Sequence, residues 1–134
     1  MFYLGLISFA ASMLAMLVAL ILTIFQLFKR RTILTSSIIT LASVSFGLHT
    51  LSVLTLMAMQ VLQDYSISYV VSVVNSVMPT ILKMTAIWGG QAGSLFFWGW
   101  TLNLVLFISL HVRRQIQDGW SFLFTALNLL FFGA

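Results

Sequence analysis

Long apolar stretches separated by short polar ones dominate the chain. The runs at about 3–28, 33–62 and 94–112 are apolar almost throughout, and as helices they are long enough to cross the roughly 30 Å hydrocarbon core of a bilayer. A last run, at about 120–134, would span only about 22 Å as a helix. The pattern predicts an all-α integral membrane protein with about four transmembrane helices, the last of them truncated. We therefore expect a truncated or split part of a longer protein, or a helix completed by a partner.

Polar residues return between the second and third apolar runs, over residues 63–93. Pro79 suits the first turn of a helix, and the stretch that follows it is short and apolar apart from Lys83. We predict a loop at 63–93 that includes a short helix at 79–88 lying in the membrane interface. The length of the chain allows one membrane domain, 1–134.

Small residues recur at spacings of three and four on the first two runs, and such stripes let helices approach each other closely in lipid. The stripes are Gly5, Ser8, Ser12, Ala15 and Ala19 on the first run, and Ser36, Thr40, Ser43, Gly47 and Thr50 on the second. We predict that they pack the two helices into an antiparallel hairpin. Ser45, His49 and Ser52 mark another polar face of the second helix, so this helix is expected to be buried among neighbours.

Composition supports a membrane chain, since 61% of the residues are hydrophobic, 6% are charged and the mean hydropathy is +1.12. The net charge of +4 does not indicate nucleic-acid binding, because the basic residues lie in two short clusters at the ends of apolar runs. These clusters are Lys29, Arg30 and Arg31, and Arg113 and Arg114. The positive-inside rule places both clusters inside and the amino terminus and the 63–93 loop outside.

Residues for conventional catalysis are scarce. The sequence has two histidines, two acidic residues and no cysteine, so neither catalytic residues nor a metal site are predicted. His49 lies in mid-span, and an ionisable side chain within a membrane is a candidate functional residue. The favoured interpretation is nevertheless a neutral imidazole that is hydrogen-bonded to Ser45, Ser52 or a neighbouring helix. His111 is expected at the inner interface, too far in depth from His49 to share a haem iron.

Two asparagines lie within apolar runs. Asn103 in the third and Asn128 in the fourth each need a hydrogen-bond partner in lipid, and both are expected to bond to another helix.

Glycine and tryptophan concentrate in one segment at the start of the third run, Trp88-Gly89-Gly90-Gln91-Ala92-Gly93-Ser94-Leu95-Phe96-Phe97-Trp98. Gly89 and Gly93 form a GxxxG pair, which permits close backbone approach, and the tryptophans suit a membrane–water boundary. We predict a contact motif made of Trp88, Gly89, Gly90, Gln91, Gly93, Ser94 and Trp98, whose small residues face another helix or a flat ligand.

The stretch from Asp64 to Trp98 resembles the N-terminal region of the CcmF/NrfE-type haem lyases of bacterial cytochrome c maturation. In that family an acidic-aromatic loop precedes Tyr-Val, an Asn-rich turn, a Pro, a basic residue and then Trp-Gly-x-x-x-Gly-Ser-Leu-x-x-Trp. The matching positions are Asp64, Tyr69, Val70, Asn75, Pro79, Lys83, Ala86, Trp88, Gly89, Gly93, Ser94, Leu95 and Trp98. The chain departs from the family at Gln91-Ala92, where many members carry His-Glu, and at Leu82, where many carry an aromatic residue.

The resemblance implies a role in haem delivery to apocytochrome c on the outer face of the cell membrane, with haem b in the wider complex. The haem-binding histidines of such proteins lie in later spans, so no complete active site is expected here and enzymatic activity stays open. Candidate cofactor contacts are Trp88, Gln91, Trp98 and His49. Expected partners are the bilayer, other membrane subunits and apocytochrome c, without nucleic acid. The alternative is a non-catalytic small subunit of a respiratory or photosynthetic membrane complex.

Overall fold

A computed structural model describes residues 1–29, 35–112, 122 and 126–127 of the chain. All regular structure in these residues is helical. The helices are α1 (Phe2–Phe28), α2 (Ser36–Leu62), α3 (Ser68–Val73), α4 (Thr80–Thr85) and α5 (Gln91–Val112), with a 3-10 turn at Ala86–Trp88 before α5.

Three of these helices, α1, α2 and α5, are long and apolar enough to cross a membrane, which confirms the all-α membrane fold. The second helix begins at Ser36 rather than near 33, because Thr35 has an extended backbone (φ −76°, ψ 156°). The third begins at Gln91 rather than near 94, so Gly93 lies in its first turn.

α1 and α2 form an antiparallel hairpin with reciprocal hydrogen bonds at its centre. The Ser12 hydroxyl donates to the Ser45 carbonyl oxygen at 2.8 Å, and the Ser45 hydroxyl donates to the Ser12 carbonyl oxygen at 3.0 Å. Nearer the 63–93 loop, the Ser52 hydroxyl donates to the carbonyl oxygen of Gly5 at 2.8 Å. Side chain to backbone bonds of this length require close helices, which the small residues of α1 permit.

The predicted α2 half of this seam is wrong. Thr40 and Gly47 are exposed, and a Cβ placed on Gly47 would meet nothing within 4 Å. The α2 face that meets α1 is instead the one with Ser45, His49 and Ser52. Two residues turn a helix by about 200°, so Gly47 lies almost opposite Ser45 and both cannot face α1.

α5 packs against α2 through polar and aromatic contacts. The indole Nε1 of Trp100 donates to the Thr50 hydroxyl at 2.9 Å, and the amide Nδ2 of Asn103 donates to the Ser45 hydroxyl at 3.4 Å. The rings of Phe46 and Phe107 stack with centroids 4.7 Å apart. The expectation that Asn103 bonds to another helix is confirmed.

The main apolar core lies at the end of the bundle away from the loop. Its buried members are Met16, Ala19, Leu20, Ile38, Ala42, Leu106, Leu110, Phe122 and Ala126. Phe122, Ala126 and Leu127, in the segment predicted as a fourth span, are helical. The rest of that segment, including Asn128, lies outside the described residues, as do Arg30, Arg31, Arg113 and Arg114.

Candidate functional site

The loop after α2 begins with a sharp reversal. Gln63 adopts the left-handed conformation (φ 56°) that commonly ends helices, and the Asp64 N–H donates to the Met59 carbonyl oxygen at 2.9 Å. The chain then turns back over the end of the bundle. The N–H and the hydroxyl of Ser66 hydrogen-bond to Asp64, which holds the pKa of that carboxyl group below its ordinary value.

The loop contains a helix, α3, that the sequence analysis did not predict. Ile67 is extended (φ −117°, ψ 131°) before the helix starts at Ser68. Val70 is fully buried and belongs to a second core cluster with Met59, Val74 and Ala86. This burial holds the short helix against the end of α2 and fixes the position of the residue next to Val70, which is Tyr69.

The Tyr69 hydroxyl lies at the centre of the tryptophan–glycine motif. It points at the carbonyl oxygens of Ile87, at 2.8 Å, and of Ala86, at 3.2 Å, as a hydrogen-bond donor. The backbone N–H groups of Gly90 and Gly93 approach it as donors. One hydroxyl therefore interacts with backbone groups on both sides of the turn that leads into α5: it donates to the carbonyl oxygens before the turn, and N–H groups at the start of the helix, where such groups lack helical partners, are directed at its oxygen.

Burial raises the pKa of Tyr69 above its ordinary value, and the N–H groups of Gly90 and Gly93 act in the opposite direction because they stabilise the phenolate. Since the net shift is upward from a value near 10, the hydroxyl is protonated at neutral pH. It can therefore donate to the carbonyl groups at the end of the 3-10 turn.

Glycine is required at position 93 by this arrangement. A Cβ on Gly93 would overlap the Tyr69 hydroxyl and the Ile87 carbonyl oxygen, and a Cβ on Gly90 would lie 2.9 Å from Cε2 of Tyr69. The small residues of the motif thus face a tyrosine of the same chain. Tyr69 belongs to α3, so Gly90 and Gly93 face another helix of the same chain, and the contact with a partner chain or a flat ligand stays a prediction.

The other side of the motif is open. The side chains of Trp88 and Trp98 are 48% and 60% exposed, and Gln91 is also exposed. The Trp88 ring packs edge-on against Phe97 with centroids 4.8 Å apart, and the Ser94 hydroxyl donates to the Trp88 carbonyl oxygen at 3.3 Å. Trp88, Gln91 and Trp98, which we call the outer motif face, therefore remain accessible, and the Trp88 ring is held by Phe97.

His49 is not part of this arrangement. It is 1% exposed within the bundle, with its ring centroid 5.4 Å from Phe9 and 5.2 Å from Phe96. Neither ring nitrogen has a hydrogen-bond partner among the described residues. The imidazole is not bonded to Ser45 or Ser52, whose hydroxyls donate to backbone carbonyls of α1. The remaining expected partner, a neighbouring helix, is represented by the Phe96 carbonyl group of α5, which lies near the imidazole.

His111 lies at the far end of α5. Its Nδ1 is 2.9 Å from the Phe107 carbonyl oxygen and its Nε2 is 3.5 Å from the Ser43 hydroxyl. Because His49 contacts Phe96 and α5 rises about 22 Å from Phe96 to His111, the two histidines lie at different depths and cannot ligate one iron. No group of three or more His, Cys, Asp or Glu side chains suited to a metal ion occurs within the part of the chain that the structure describes.

Three structurally important residues were not identified from the sequence. Tyr69 entered only through the family resemblance, although the nearby glycines could have indicated a large side chain packed against them. Trp100 bonds across to α2 through its only polar atom. Gln60 is fully buried, and neither atom of its side-chain amide has a hydrogen-bond partner among the described residues. The sequence feature that could have identified it is a single amide side chain in the otherwise apolar end of α2.

Comparison with known proteins supports the family resemblance. The chain is 35% identical over 82 residues to the cytochrome c-type biogenesis protein NrfE of Haemophilus influenzae, a match that covers 61% of this chain and 13% of that protein. It is 32% identical over 56 residues to CcmF of the same species, covering 39% of this chain and 9% of that protein. CcmF of Pseudomonas aeruginosa is 39% identical over 60 residues, covering 41% of this chain and 8% of that protein.

No family model matches the chain, and no solved structure matches it. The chain spans at most 13% of the length of the curated relatives it matches. The resemblance seen in the sequence is nevertheless confirmed: part of this membrane chain is similar to the cytochrome c-type biogenesis proteins of the CcmF/NrfE type.

Proposed function

We propose that this chain acts as the amino-terminal membrane portion of a cytochrome c-type biogenesis protein, assisting haem delivery to apocytochrome c on the outer face of a bacterial cell membrane. The observation that carries this proposal is the similarity to NrfE and to two CcmF proteins. Haem handling and apocytochrome c binding belong to the proposal, since the match covers a small part of each relative.

The outer motif face is the surface through which the chain would act. Trp88 and Trp98 offer flat aromatic rings, and Gln91 offers an amide that both donates and accepts hydrogen bonds. Such a surface fits a flat ligand such as haem, with the Gln91 amide donating to a propionate, or an aromatic contact with another membrane subunit. The Tyr69 packing behind the motif supports this role, because it fixes the backbone that carries all three side chains.

The orientation is part of the proposal. We place the amino terminus and the 63–93 loop outside and the basic clusters inside, as the positive-inside rule requires. The chain has no cysteine, so single cysteines introduced at Ser66, in the loop, and Ser36, at the opposite end of α2, can be labelled without background. A membrane-impermeant maleimide should label Ser66→Cys in intact cells and label Ser36→Cys only after permeabilisation. Labelling of Ser36→Cys in intact cells would contradict this orientation.

The proposed function can be tested by deleting the gene and measuring mature c-type cytochromes on haem-stained gels. Deletion should abolish or sharply reduce maturation, and the unmodified chain should restore it. Gln91→Ala should restore chain levels but not full maturation, whereas Ser72→Ala serves as a control for the loss of an exposed polar loop side chain, because the Ser72 hydroxyl bonds to the backbone of its own short helix. Full maturation in the deletion strain would overturn the proposal.

A second candidate is a non-catalytic subunit of a respiratory or photosynthetic membrane complex. It is favoured by the use of Gly90 and Gly93 for packing within the chain, which accounts for these motif glycines without a ligand. This candidate predicts that the deletion strain matures c-type cytochromes normally but fails to assemble the complex. Isolating the chain with its partners and recording a haem spectrum would show which complex it joins.

A further inference from the structure

Two polar side chains in the middle of the bundle carry hydrogen-bonding atoms without a partner among the described residues, as Gln60 does near the end of α2. Neither His49 nitrogen makes a hydrogen bond to a described residue, although the Phe96 carbonyl group lies near the imidazole, and the Oδ1 atom of Asn103 has no partner there either. Each residue is 1% exposed. Since hydrocarbon offers no hydrogen bonds, buried polar groups in a membrane protein are normally satisfied by protein or by ordered water.

The Ser45 hydroxyl contacts Asn103 and lies on the same face of α2 as His49. Ser45 is fully buried, accepts a hydrogen bond from Asn103 Nδ2 at 3.4 Å, and lies one helical turn before His49 on α2. Four residues advance an α-helix by about 6 Å. A water molecule that bonds two groups at about 2.8 Å each connects atoms separated by up to about this distance.

We propose that His49 and Asn103, together with the Ser45 hydroxyl, bind water between α1, α2 and α5 inside the membrane. The imidazole supplies one donor and one acceptor, the Asn103 carbonyl oxygen is an acceptor, and the Ser45 hydroxyl can accept a further bond. A buried water typically makes about three hydrogen bonds, and this cluster offers that number.

The surroundings favour water over a larger or charged ligand. The rings of Phe9 and Phe96 pack against the imidazole, and the low exposure of His49 leaves no opening wide enough for a planar cofactor. Among the described residues the acidic one is Asp64, which lies in the loop after α2, so no described carboxylate is available at the cluster to balance a metal ion.

The nearby cavity does not explain the unpaired groups. It has a volume of about 170 Å³ and is lined mainly by apolar side chains, including Phe2, Leu6 and Met59. The two hydroxyls that line it, on Ser52 and Thr55, donate to the carbonyl oxygens of Gly5 and Leu51. His49, Asn103 and Ser45 are not among its lining residues, so the unpaired atoms are assigned to the separate polar cluster.

The proposal can be tested by solid-state NMR on the full chain labelled with [15N]histidine in phospholipid bilayers. The sequence has two histidines, and the variant His111→Gln assigns their signals. In spectra that select magnetisation transferred from water, the His49 nitrogens should receive signal in spite of their burial, and exposed His111 provides the positive reference. Absence of transfer to His49 in the unmodified chain would overturn the proposal.

A second measurement separates bound water from accidental solvent access. Asn103→Leu should cause a loss of transfer to His49 and shift its nitrogen resonances. Ser109→Ala is the control, because Ser109 is exposed on the same helix and bonds only to its own backbone at Val105. If Asn103→Leu keeps its native helicity and the transfer of magnetisation from water to His49 is unchanged, the proposal that His49 and Asn103 bind the same water is overturned. If this variant does not fold, the unmodified chain still decides whether water reaches His49.

Discussion

Gly93→Ala is expected to destabilise the folded chain by about 1–3 kcal/mol, the usual cost of forcing extra carbon into a packed site. The new Cβ would overlap the Tyr69 hydroxyl and the Ile87 carbonyl oxygen, so the 3-10 turn, α3 or the first turn of α5 must move. The change should lower the midpoint of thermal unfolding in detergent, followed by circular dichroism. Insertion into the membrane should be unaffected, because the apolar span is unchanged.

Gly47→Ala is the matched control for this experiment. Position 47 lies within α2, and a Cβ there meets nothing within 4 Å, so alanine should be neutral or slightly stabilising through its better helix propensity. Tyr69→Phe removes the hydroxyl that Gly93→Ala would strike. The double variant should therefore lose less stability than the sum of the two single variants. Equal midpoints of thermal unfolding for Gly93→Ala and Gly47→Ala would show that the Tyr69 packing does not require glycine at position 93.

Ser12→Leu is expected to separate α1 from α2, with a loss of about 1–3 kcal/mol from overpacking and a further loss from the broken hydrogen bonds. Ser12 is fully buried and exchanges side chain to backbone bonds with Ser45 in both directions. Leucine would remove one hydroxyl and hold the helices apart, which would also remove the acceptor of the Ser45 hydroxyl. Unfolding in a titration with sodium dodecyl sulfate should occur at a lower detergent fraction.

Gly47→Leu tests the same change on the α2 face that was first predicted to meet α1. Gly47 is exposed with open space around it, so leucine should be tolerated there. If Gly47→Leu loses more stability than Ser12→Leu, the α2 face with Gly47 packs against α1 as the sequence predicted. That result would contradict the packing of α1 against the face with Ser45, His49 and Ser52.

The helical spans could be predicted because they depend on hydrophobicity alone. A run of 20 or more apolar residues has few alternatives in a membrane, and the structure has helices at each of the first three predicted runs. The α1 stripe could also be predicted, since its small residues recur at spacings of three and four in a helix otherwise rich in large apolar side chains, and Ser8, Ser12 and Ala19 are buried.

The face of α2 and the role of Tyr69 could not be predicted from local pattern. α2 carries small or polar residues on several faces, so periodicity alone gave two possible seams, and the choice depends on which hydroxyls find carbonyl partners on α1. The Tyr69 packing joins residues 17 and 18 positions apart through a short helix whose existence depends on burial of Val70. Such a helix is too short to be stable by propensity, so only the folded context reveals it.

The spacing of the Tyr69 contacts also has a consequence for the order of assembly. Ribosomes deliver the chain from its amino end, at about 5–20 residues per second in the general case, so α1 and α2 are complete before any residue that bonds to the Tyr69 hydroxyl exists. The hairpin can therefore dock early, through Ser12 and Ser45, as an independent unit. The loop must wait for Ile87 and Gly93, and it closes when the third span enters the bilayer. A ribosome-bound chain whose α2 has left the exit tunnel while Ile87 is still inside it could thus dock the hairpin with the Tyr69 hydroxyl still unbonded.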